Sequence, residues 1–471
     1  MQTYFVWFDW KYALGLPLTY AGFDYSILSG FRTRLLAGGR EALLFDRILD
    51  RLKIHGLLKG KGQQRTDSTH VLAAVRELTR LECVGETLRR VLDDLARVGP
   101  DWLLDQISPD WFDRYGARFE AYRLPDKQTE REALQLQIGQ DGSYLLTAVH
   151  DDTAPAWLRE LPSVDVMLRV WRQQYYLEAD QVHWRDAKNI PPFKRLIVSP
   201  DDIEARNRTK RELNWSGYAA HLTETCTSDG PNIITNVETT PATTADVEMT
   251  GTIHQTLAAK DLLPTEHLVD TGSVSVNHLL ESQQQYQIDL IGPVPGGGSW
   301  QANREQGFDV SCFAIDWDNQ VVTCPQGKLS QSWYRRQEKY GHDYIQVRFD
   351  PVDCRPCPHR SDCTKSKRGV RTVSFRPRVG YEMLEVARNR QKTAEFRTKY
   401  KKRAGIEGTI SQGVRAFDLR RSRYLGLAKT HLQHLAIGAA MNLTHVVTWW
   451  MVGEPTSSPY RLPFAKLKPV I

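Results

Sequence analysis

The stretch from residue 214 to residue 294 alternates between strand and helix patterns, and this constrains the fold more than any other feature of the sequence. Apolar residues at 218, 220 and 222, with a second apolar run after the turn at 230–231, predict an antiparallel pair of strands. Helical patterns then flank a short apolar strand that ends at Asp270, and a further strand covers 288–294. Because strands separated by helices usually pair in parallel, the sequence predicts an α/β fold with a mixed sheet.

The patterns on either side divide the chain further. Helical spacing predicts short helices in the first sixty residues, and Asp67 is predicted near a strand end, before a helical pattern through Leu72, Val75 and Leu78. We therefore expect a helical amino-terminal region over 1–62, a first core strand over 63–74, a helical insertion over 75–205, the core over 206–298, a small β-rich insertion with cysteines over 299–375, a basic helical end of the core over 376–452 and a tail over 453–471.

Composition excludes several classes of protein. Hydrophobic residues make up 41% and charged residues 25% of the 471, so the chain is neither disordered nor collagen-like. The longest apolar stretch, over 435–451, is interrupted by polar residues, whereas a membrane span needs about 20 apolar residues. The first residues lack the pattern of a signal peptide. These features predict no membrane partner and a cytoplasmic location.

Positive charge is concentrated near the carboxyl end. The net charge is only +6, but the segment 388–423 holds twelve Lys or Arg residues and three acidic ones. A charge run usually forms a solvated helix face. Here the cations surround Glu407, and their density favours a surface that binds a phosphate backbone.

Three acidic residues occupy positions that suit a metal site. Asp67 lies near the predicted strand end, Asp270 at the carboxyl end of an apolar strand, and Glu407 among the basic helices. Mg2+ prefers oxygen ligands, and two such ions can hold the attacking and leaving oxygens of a phosphodiester displacement. The structural alternatives are a helix cap for Asp67, a turn residue for Asp270 and a solvated charge for Glu407, and spacing alone favours them.

Five of the seven cysteines fall in the predicted β-rich insertion. Four of them have the spacing C-x29-C-x2-C-x5-C, and Cys312, His342 and His359 are nearby alternates. Without a secretion signal, such cysteines are more often reduced thiols or metal ligands than a disulfide framework. The spacing favours a structural Zn2+ site, with free thiols as the alternative, and the four candidate ligands are Cys324, Cys354, Cys357 and Cys363.

Four segments carry a resemblance to a known family. They are RTDSTHVL (65–72), TETC with VETTPAT (223–243), HLVD-x-G (267–272) and RAGIEGTISQGVRAFDLRRSRYLGLAKTHLQH (403–434). Together they resemble the DDE transposases of bacterial insertion sequences, in the branch with a helical insertion after the first Asp and a cysteine-bearing insertion before the Glu. The likeness extends over almost the whole chain.

The resemblance implies a core like that of ribonuclease H, with Asp67, Asp270 and Glu407 as the ligands of two Mg2+ or Mn2+ ions. It implies that water attacks a phosphodiester at an element end and that the freed 3′-hydroxyl then attacks target DNA. The expected partners are double-stranded DNA, as terminal repeats and target, and a second copy of the chain in a synaptic homodimer. The expected location is the bacterial cytoplasm, in association with the nucleoid.

A narrower signature in such transposases reads Tyr, two residues, Arg, three residues, Glu, six residues, Lys. Tyr400, Arg403 and Glu407 fit, but Val414 takes the last place and Arg415 follows it. The second acid is usually written Asp-Ala-Gly-Tyr, whereas Thr271 and Ser273 depart from it here. The predicted DNA-binding residues are Tyr400, Lys401, Lys402, Arg403, Arg415, Arg420 and Arg421.

Other interpretations remain open. Related chains have a further helical region before FDWKYALGL (8–16), which predicts that Met1 begins a truncated copy. Such a copy could bind DNA without cutting it, and a plain metal-dependent nuclease would need the same acids. Asp270-Thr271-Gly272-Ser273 also matches the active-site turn of aspartic proteases, but those enzymes need two such carboxylates and no second Asp-Thr/Ser-Gly occurs.

Overall fold

The computed structural model describes residues 11–452, except for 13–14, 18, 21, 23, 228–229, 295–298, 305–306, 339–340 and 342. It has a mixed α/β fold, as the sequence patterns predicted. The predicted tail over 453–471 and the first ten residues of the amino-terminal region lie outside the described residues.

In the described part of the chain from residue 24 onward, two helices precede the first strand. They are α1 (Tyr25–Ala37) and α2 (Leu43–Ile54), and the strand is β1 (Gln63–Leu72). On α2, the side chains of Phe45, Leu49 and Leu52 are buried, because spacings of four and three residues place them on one face of a helix. This face packs into the main core of the protein.

The structure differs from the prediction at Asp67. β1 has ten residues and Asp67 lies in its middle, rather than near a strand end or a helix start. The helix that we expected to include Leu72 begins only at Arg80. The reason is pairing: β1 is bonded along most of its length to one neighbouring strand and at its start to another, and this tertiary pairing outweighs the local helical spacing.

The next unit is mostly helical and has its own apolar core. Its helices are α3 (Arg80–Val98), α4 (Pro100–Gln106), α5 (Asp110–Tyr115), α6 (Gln128–His150) and α7 (Pro162–Gln174). A hairpin that the sequence did not predict follows, formed by β2 (Tyr175–Glu178) and β3 (Gln181–Trp184). Its turn residues, Ala179 and Asp180, have positive φ of 49° and 60°.

The central sheet is built from segments on both sides of the helical unit. In chain order its further elements are β4 (Arg206–Lys210), β5 (Leu213–Thr225), β6 (Ile234–Pro241), α8 (Asp246–Ala259), β7 (Glu266–Leu268), α9 (Val276–Tyr286) and β8 (Asp289–Ile291). The strand order is β6-β5-β1-β7-β8, with β4 also paired to β5. β5 is antiparallel to β1 and β6, whereas β7 is parallel to β1 and β8 to β7.

A small β-rich unit follows. Its elements are β9 (Ala314–Asp316), β10 (Val321–Thr323), β11 (Ser330–Gln337), β12 (Asp343–Phe349), α10 (Pro351–Cys354), α11 (Arg360–Cys363) and β13 (Thr372–Phe375). β11, β12 and β13 form an antiparallel sheet, and β9 pairs with β10. The unit has a separate apolar cluster that includes Val347 and Phe349.

The described part of the chain ends in helices that return to the central sheet. They are α12 (Arg378–Gln391), α13 (Ala394–Lys401), α14 (Gly405–Phe417) and α15 (Leu427–Val452), with a 3-10 turn over Lys402–Ala404. α15 is tied to β6 by Asn442, whose amide exchanges two hydrogen bonds with the backbone of Ile234, at 2.7 and 2.8 Å. No helix in the described part of the chain is long and apolar enough to span a bilayer.

A buried ion pair fixes α14 against the sheet. Arg65 on β1 lies opposite Glu224 on β5, and its Nε donates to Glu224 Oε1 at 2.6 Å. The second carboxylate oxygen accepts a hydrogen bond from the Thr409 hydroxyl of α14 at 2.7 Å. Arg65 Nη1 also donates to the Lys402 carbonyl, just before that helix. The two strands and the helix are therefore held by one network.

Gly405 permits this close approach. A Cβ at this position would lie 2.1 Å from Arg65 Nη1, and the guanidinium cannot yield without losing its bonds to Glu224 and Lys402. A Cβ at Gly408, three residues along the same helix, would meet nothing within 4 Å.

We expect Gly405→Ala to lower the free energy of unfolding by about 1–3 kcal/mol, because it overpacks the Arg65 site. Gly408→Ala is the matched control and should raise it by roughly 0.5–1 kcal/mol, since alanine favours a helix interior. Urea unfolding of the two variants measures both values. Equal and small effects of both substitutions would contradict the tight contact.

Candidate active site

Strands β1 and β7 bring two of the predicted acids close together. Arg65 is paired in parallel with Leu268, and Asp67 and Asp270 each follow two residues later. Asp270 precedes a 3-10 turn, and its Oδ1 accepts a hydrogen bond from the Ser273 hydroxyl at 2.8 Å. The parallel register thus places the two aspartates at matching positions, with Asp67 in the middle of β1 and Asp270 just beyond the end of β7.

Arg403 connects the third acid to the first. Its Nη2 lies 2.8 Å from Asp67 Oδ2, and its Nη1 lies 3.4 Å from Glu407 Oε1. Asp67 and Arg403 are largely buried, with 19% and 14% of the side chain exposed, whereas Glu407 is 66% exposed. One guanidinium therefore bridges two carboxylates that are far apart in the sequence.

The electrostatics reflect this convergence. Burial raises the pKa of Asp67, the positive charge of Arg403 opposes the increase, and the negative charge of Asp270 adds to it. The Tyr400 ring stacks on Phe396, with centroids 5.6 Å apart. Burial raises the pKa of Tyr400 as well, and the three acids contribute in the same direction. Tyr400 is therefore close enough to all three acids to sense their charges.

The donor chemistry of the three acids suits a hard cation such as Mg2+. Within the described ranges, however, no group of three or more His, Cys, Asp or Glu side chains is arranged so that it could hold a metal ion. The guanidinium of Arg403 lies between Asp67 and Glu407, so these carboxylates cannot share an ion until it turns away. Its Nε is buried and has no hydrogen-bond partner in the described part of the chain.

A comparison with protein families identifies the carboxyl-terminal part of the chain. Residues 323–447 match the transposase DDE domain. The match supports a DDE transposase and confirms the resemblance given by the sequence motifs. It includes Tyr400, Arg403 and Glu407, whereas Asp67 and Asp270 lie outside the matched residues. Searches of curated proteins and of solved structures found no match.

The cations predicted to bind DNA fall into two groups. Lys402 and Arg420 lie along β1, where they donate hydrogen bonds to the Gln63 side chain at 2.6 Å and to the Thr69 hydroxyl at 2.8 Å. Together with Arg403 they follow the side of β1 that carries Asp67. The other cations have exposed side chains, and these are Lys401, Arg415 and Arg421.

Two groups of residues around the three acids were missed by sequence reasoning. One is the pair of Arg65 and Glu224, which fixes the helix that carries Glu407. The other is Asp246, whose Oδ1 accepts a hydrogen bond from the Ser68 hydroxyl at 2.7 Å, next to Asp67. Arg65 and Glu224 belong to two of the sequence motifs that resemble the family. Their presence in these motifs was the one sign in the sequence that could have pointed to them.

A buried chain of hydrogen bonds lies on the opposite side of β1. The Thr66 hydroxyl bonds to His267 Nε2 at 2.7 Å, and His267 Nδ1 bonds to His254 Nε2 at 2.8 Å. Burial lowers the pKa of His254 to about 4, and burial also lowers that of His267 well below its usual value. Both imidazoles are therefore neutral in the folded protein at neutral pH. The chain links β1, β7 and α8 beneath the two aspartates.

These histidines predict a loss of stability in acid. The unfolded chain protonates each histidine near pH 6.5, whereas in the folded chain the pKa of His254 is about 4 and that of His267 is well below its usual value. Protonation of each histidine in the unfolded chain should therefore lower the free energy of unfolding by about 1.4 kcal/mol per pH unit as the pH falls from about 6 to 5. Urea unfolding at several pH values measures the slope. His254→Gln should make it shallower by about 1.4 kcal/mol per unit, whereas His150→Gln, at an exposed site, should leave it unchanged.

Proposed function

We propose that this chain is a metal-dependent DNA transposase that cuts a phosphodiester at each element end and joins the freed end to target DNA. The observation that carries the proposal is the Arg403 guanidinium, which bridges Asp67 and Glu407 beside Asp270. These acids come from β1, from the end of β7 and from α14. The match of residues 323–447 to the transposase DDE domain supports the same function.

The strand arrangement supports a core like that of ribonuclease H. The order β6-β5-β1-β7-β8 joins an antiparallel half to a parallel half, with β1 at the junction. In open sheets of this kind, sites form at the carboxyl ends of strands where the chain direction changes. Asp270 lies beyond the carboxyl end of β7, at this place in the sheet.

Asp67, Asp270 and Glu407 are the residues that would hold two Mg2+ or Mn2+ ions. Such ions, when bound, stabilise the charge on the attacking and leaving oxygens. Asp67 lies within β1 and Asp270 follows the short strand β7, whereas Glu407 is largely exposed on α14. A guanidinium matches the geometry of a phosphate. Once the Arg403 side chain has turned away from Asp67 and Glu407, it can therefore position the scissile phosphate.

The basic side chains complete the proposed DNA site. Lys402, Arg403 and Arg420 lie along β1, and the exposed Lys401, Arg415 and Arg421 extend the positive charge. Phosphate contacts of this kind hold a duplex without reading its sequence. We infer that the terminal repeats and the target DNA both bind here, in a homodimer in the bacterial cytoplasm. A plain nuclease and a binding-only protein are the alternatives that the experiments below distinguish.

We expect Asp67→Asn, Asp270→Asn and Glu407→Gln each to reduce cleavage at least about a thousandfold, which is some 4 kcal/mol of transition-state stabilisation. Labelled DNA that carries the sequences flanking the reading frame is incubated with purified protein and Mn2+. Asp418→Asn is the matched control, because Asp418 is an exposed acid in a left-handed helix cap that asparagine also tolerates. It should cut like the unchanged protein.

The products separate the alternatives. Joined products with target DNA support transposition, whereas nicked DNA alone indicates a plain nuclease. If the unchanged protein binds the DNA but cuts it with neither Mg2+ nor Mn2+, the proposed enzymatic function is contradicted. Full activity of Glu407→Gln would exclude that residue as a ligand.

We also expect Lys401→Ala and Arg415→Ala to weaken DNA binding. For each variant, the loss of affinity should be the same for DNA of different sequences. Each phosphate contact that is lost should reduce the slope of log K against log salt by about 0.9. Fluorescence anisotropy at several salt concentrations measures this slope. Lys188→Ala is the control, since Lys188 is exposed in the helical unit, and it should leave the slope unchanged. An unchanged slope in all three variants would place the DNA elsewhere on the protein.

A further inference from the structure

The β-rich unit contains a cavity of about 260 Å³. Three phenylalanines form much of its wall, and the side chains of Lys328, Arg360 and Arg371 also reach it. Four cysteines from separate short segments line the same cavity: Cys324, Cys354, Cys357 and Cys363. All four are free thiols with partly buried side chains.

The backbone around these cysteines forms tight turns. After β10, Gly327 N–H donates to the Cys324 carbonyl at 2.9 Å, and Lys328 N–H lies 3.4 Å from Cys324 Sγ. Cys354 ends α10, and Cys357 N–H donates to its carbonyl at 3.4 Å. The thiolate is the form of cysteine that binds metals. These turns hold the sulfurs at the wall of the cavity.

The four thiols share the wall of one cavity, so thiolates at this place would repel each other. Arg371 Nη1 donates to the Cys363 carbonyl at 2.9 Å. A bound cation would remove the repulsion between the thiolates.

We propose that Cys324, Cys354, Cys357 and Cys363 bind one structural Zn2+ ion as four thiolates. As placed, these thiols do not form a group that could hold an ion, since the described residues contain none. Rotation about the Cα–Cβ bond of each cysteine is the movement that would bring its sulfur into the cavity. Zinc prefers a closed tetrahedral set of this kind in structural sites.

Cys324, Cys354 and Cys363 pack against the apolar cluster of the unit, and zinc would add direct links between their segments. The segment 350–371 connects β12 to β13 and contains two helices of four residues each, α10 and α11. Three of the four cysteines lie on this segment, whereas Cys324 directly follows β10. Small units with few buried side chains often depend on a metal for stability.

The alternate ligands are less suited. Cys312 is exposed, and its Sγ lies 3.6 Å from Asp309 Oδ1. His359 packs edge-on against Phe308, with ring centroids 5.7 Å apart, and it does not line the cavity. His342 lies outside the described residues. Cys312 is therefore a matched control, since it is a thiol of the same unit outside the proposed site.

The test measures zinc in the purified full chain by atomic absorption. We expect about one zinc per chain in the unchanged protein and in Cys312→Ser, and well under one in Cys357→Ser. Asp67→Asn should keep its zinc, so a failure of the proposed catalytic function would not alter this result. Because Cys357→Ser could fail to fold, metal-stripped unchanged protein is also titrated with Co2+, whose thiolate complexes absorb by charge transfer.

Two results would overturn the zinc site. One is unchanged protein that contains no zinc and shows no thiolate absorbance with Co2+. The other is loss of zinc from Cys312→Ser equal to the loss from Cys357→Ser. Charge-transfer absorbance in the unchanged protein, together with retained zinc in Cys312→Ser, would support it even if Cys357→Ser were insoluble.

Discussion

The arrangement of the candidate site depends on the buried ion pair between Arg65 and Glu224. Breaking such a pair by removing one partner typically costs about 3–5 kcal/mol, because the other charge stays buried. Here Glu224 also accepts a hydrogen bond from Thr409 on α14, and Arg65 donates one to the Lys402 carbonyl just before that helix. These bonds hold α14 to the sheet. Burial raises the pKa of Glu224, and the positive charge of Arg65 is the largest influence that opposes this increase. Arg65 therefore favours the charged carboxylate of Glu224. The position of Glu407 relative to Asp67 follows from this contact.

The sides of β1 have different chemistry. One carries charge, with Asp67 against Arg403 and with Lys402 and Arg420 nearby. The other carries neutral groups that are hydrogen-bonded in a chain through Thr66 and His267. Alternation along a strand separates these two environments. Glu407 is thus largely exposed, whereas the buried histidines on the other side of β1 remain uncharged at neutral pH.

Local patterns predicted the parallel strands and the carboxylate beyond β7, because apolar runs that end in an acid are visible in the sequence. They could not predict the contact of Arg65 with Glu224, since the two residues are 159 positions apart. The β2–β3 hairpin was missed because Ala179 and Asp180 take positive φ without the usual Asn-Gly signal. The middle position of Asp67 in β1 also arises from pairing with distant strands.

The lengths of the strands have a further consequence. β1 spans ten residues and is paired through nine of them with β5, whereas β7 and β8 span three residues each. Asp270 therefore follows a strand with fewer cross-strand pairs than β1. Segments held by few hydrogen bonds adjust at small free-energy cost. The protein thus combines one rigidly placed aspartate with a second that has room to settle around whatever it binds.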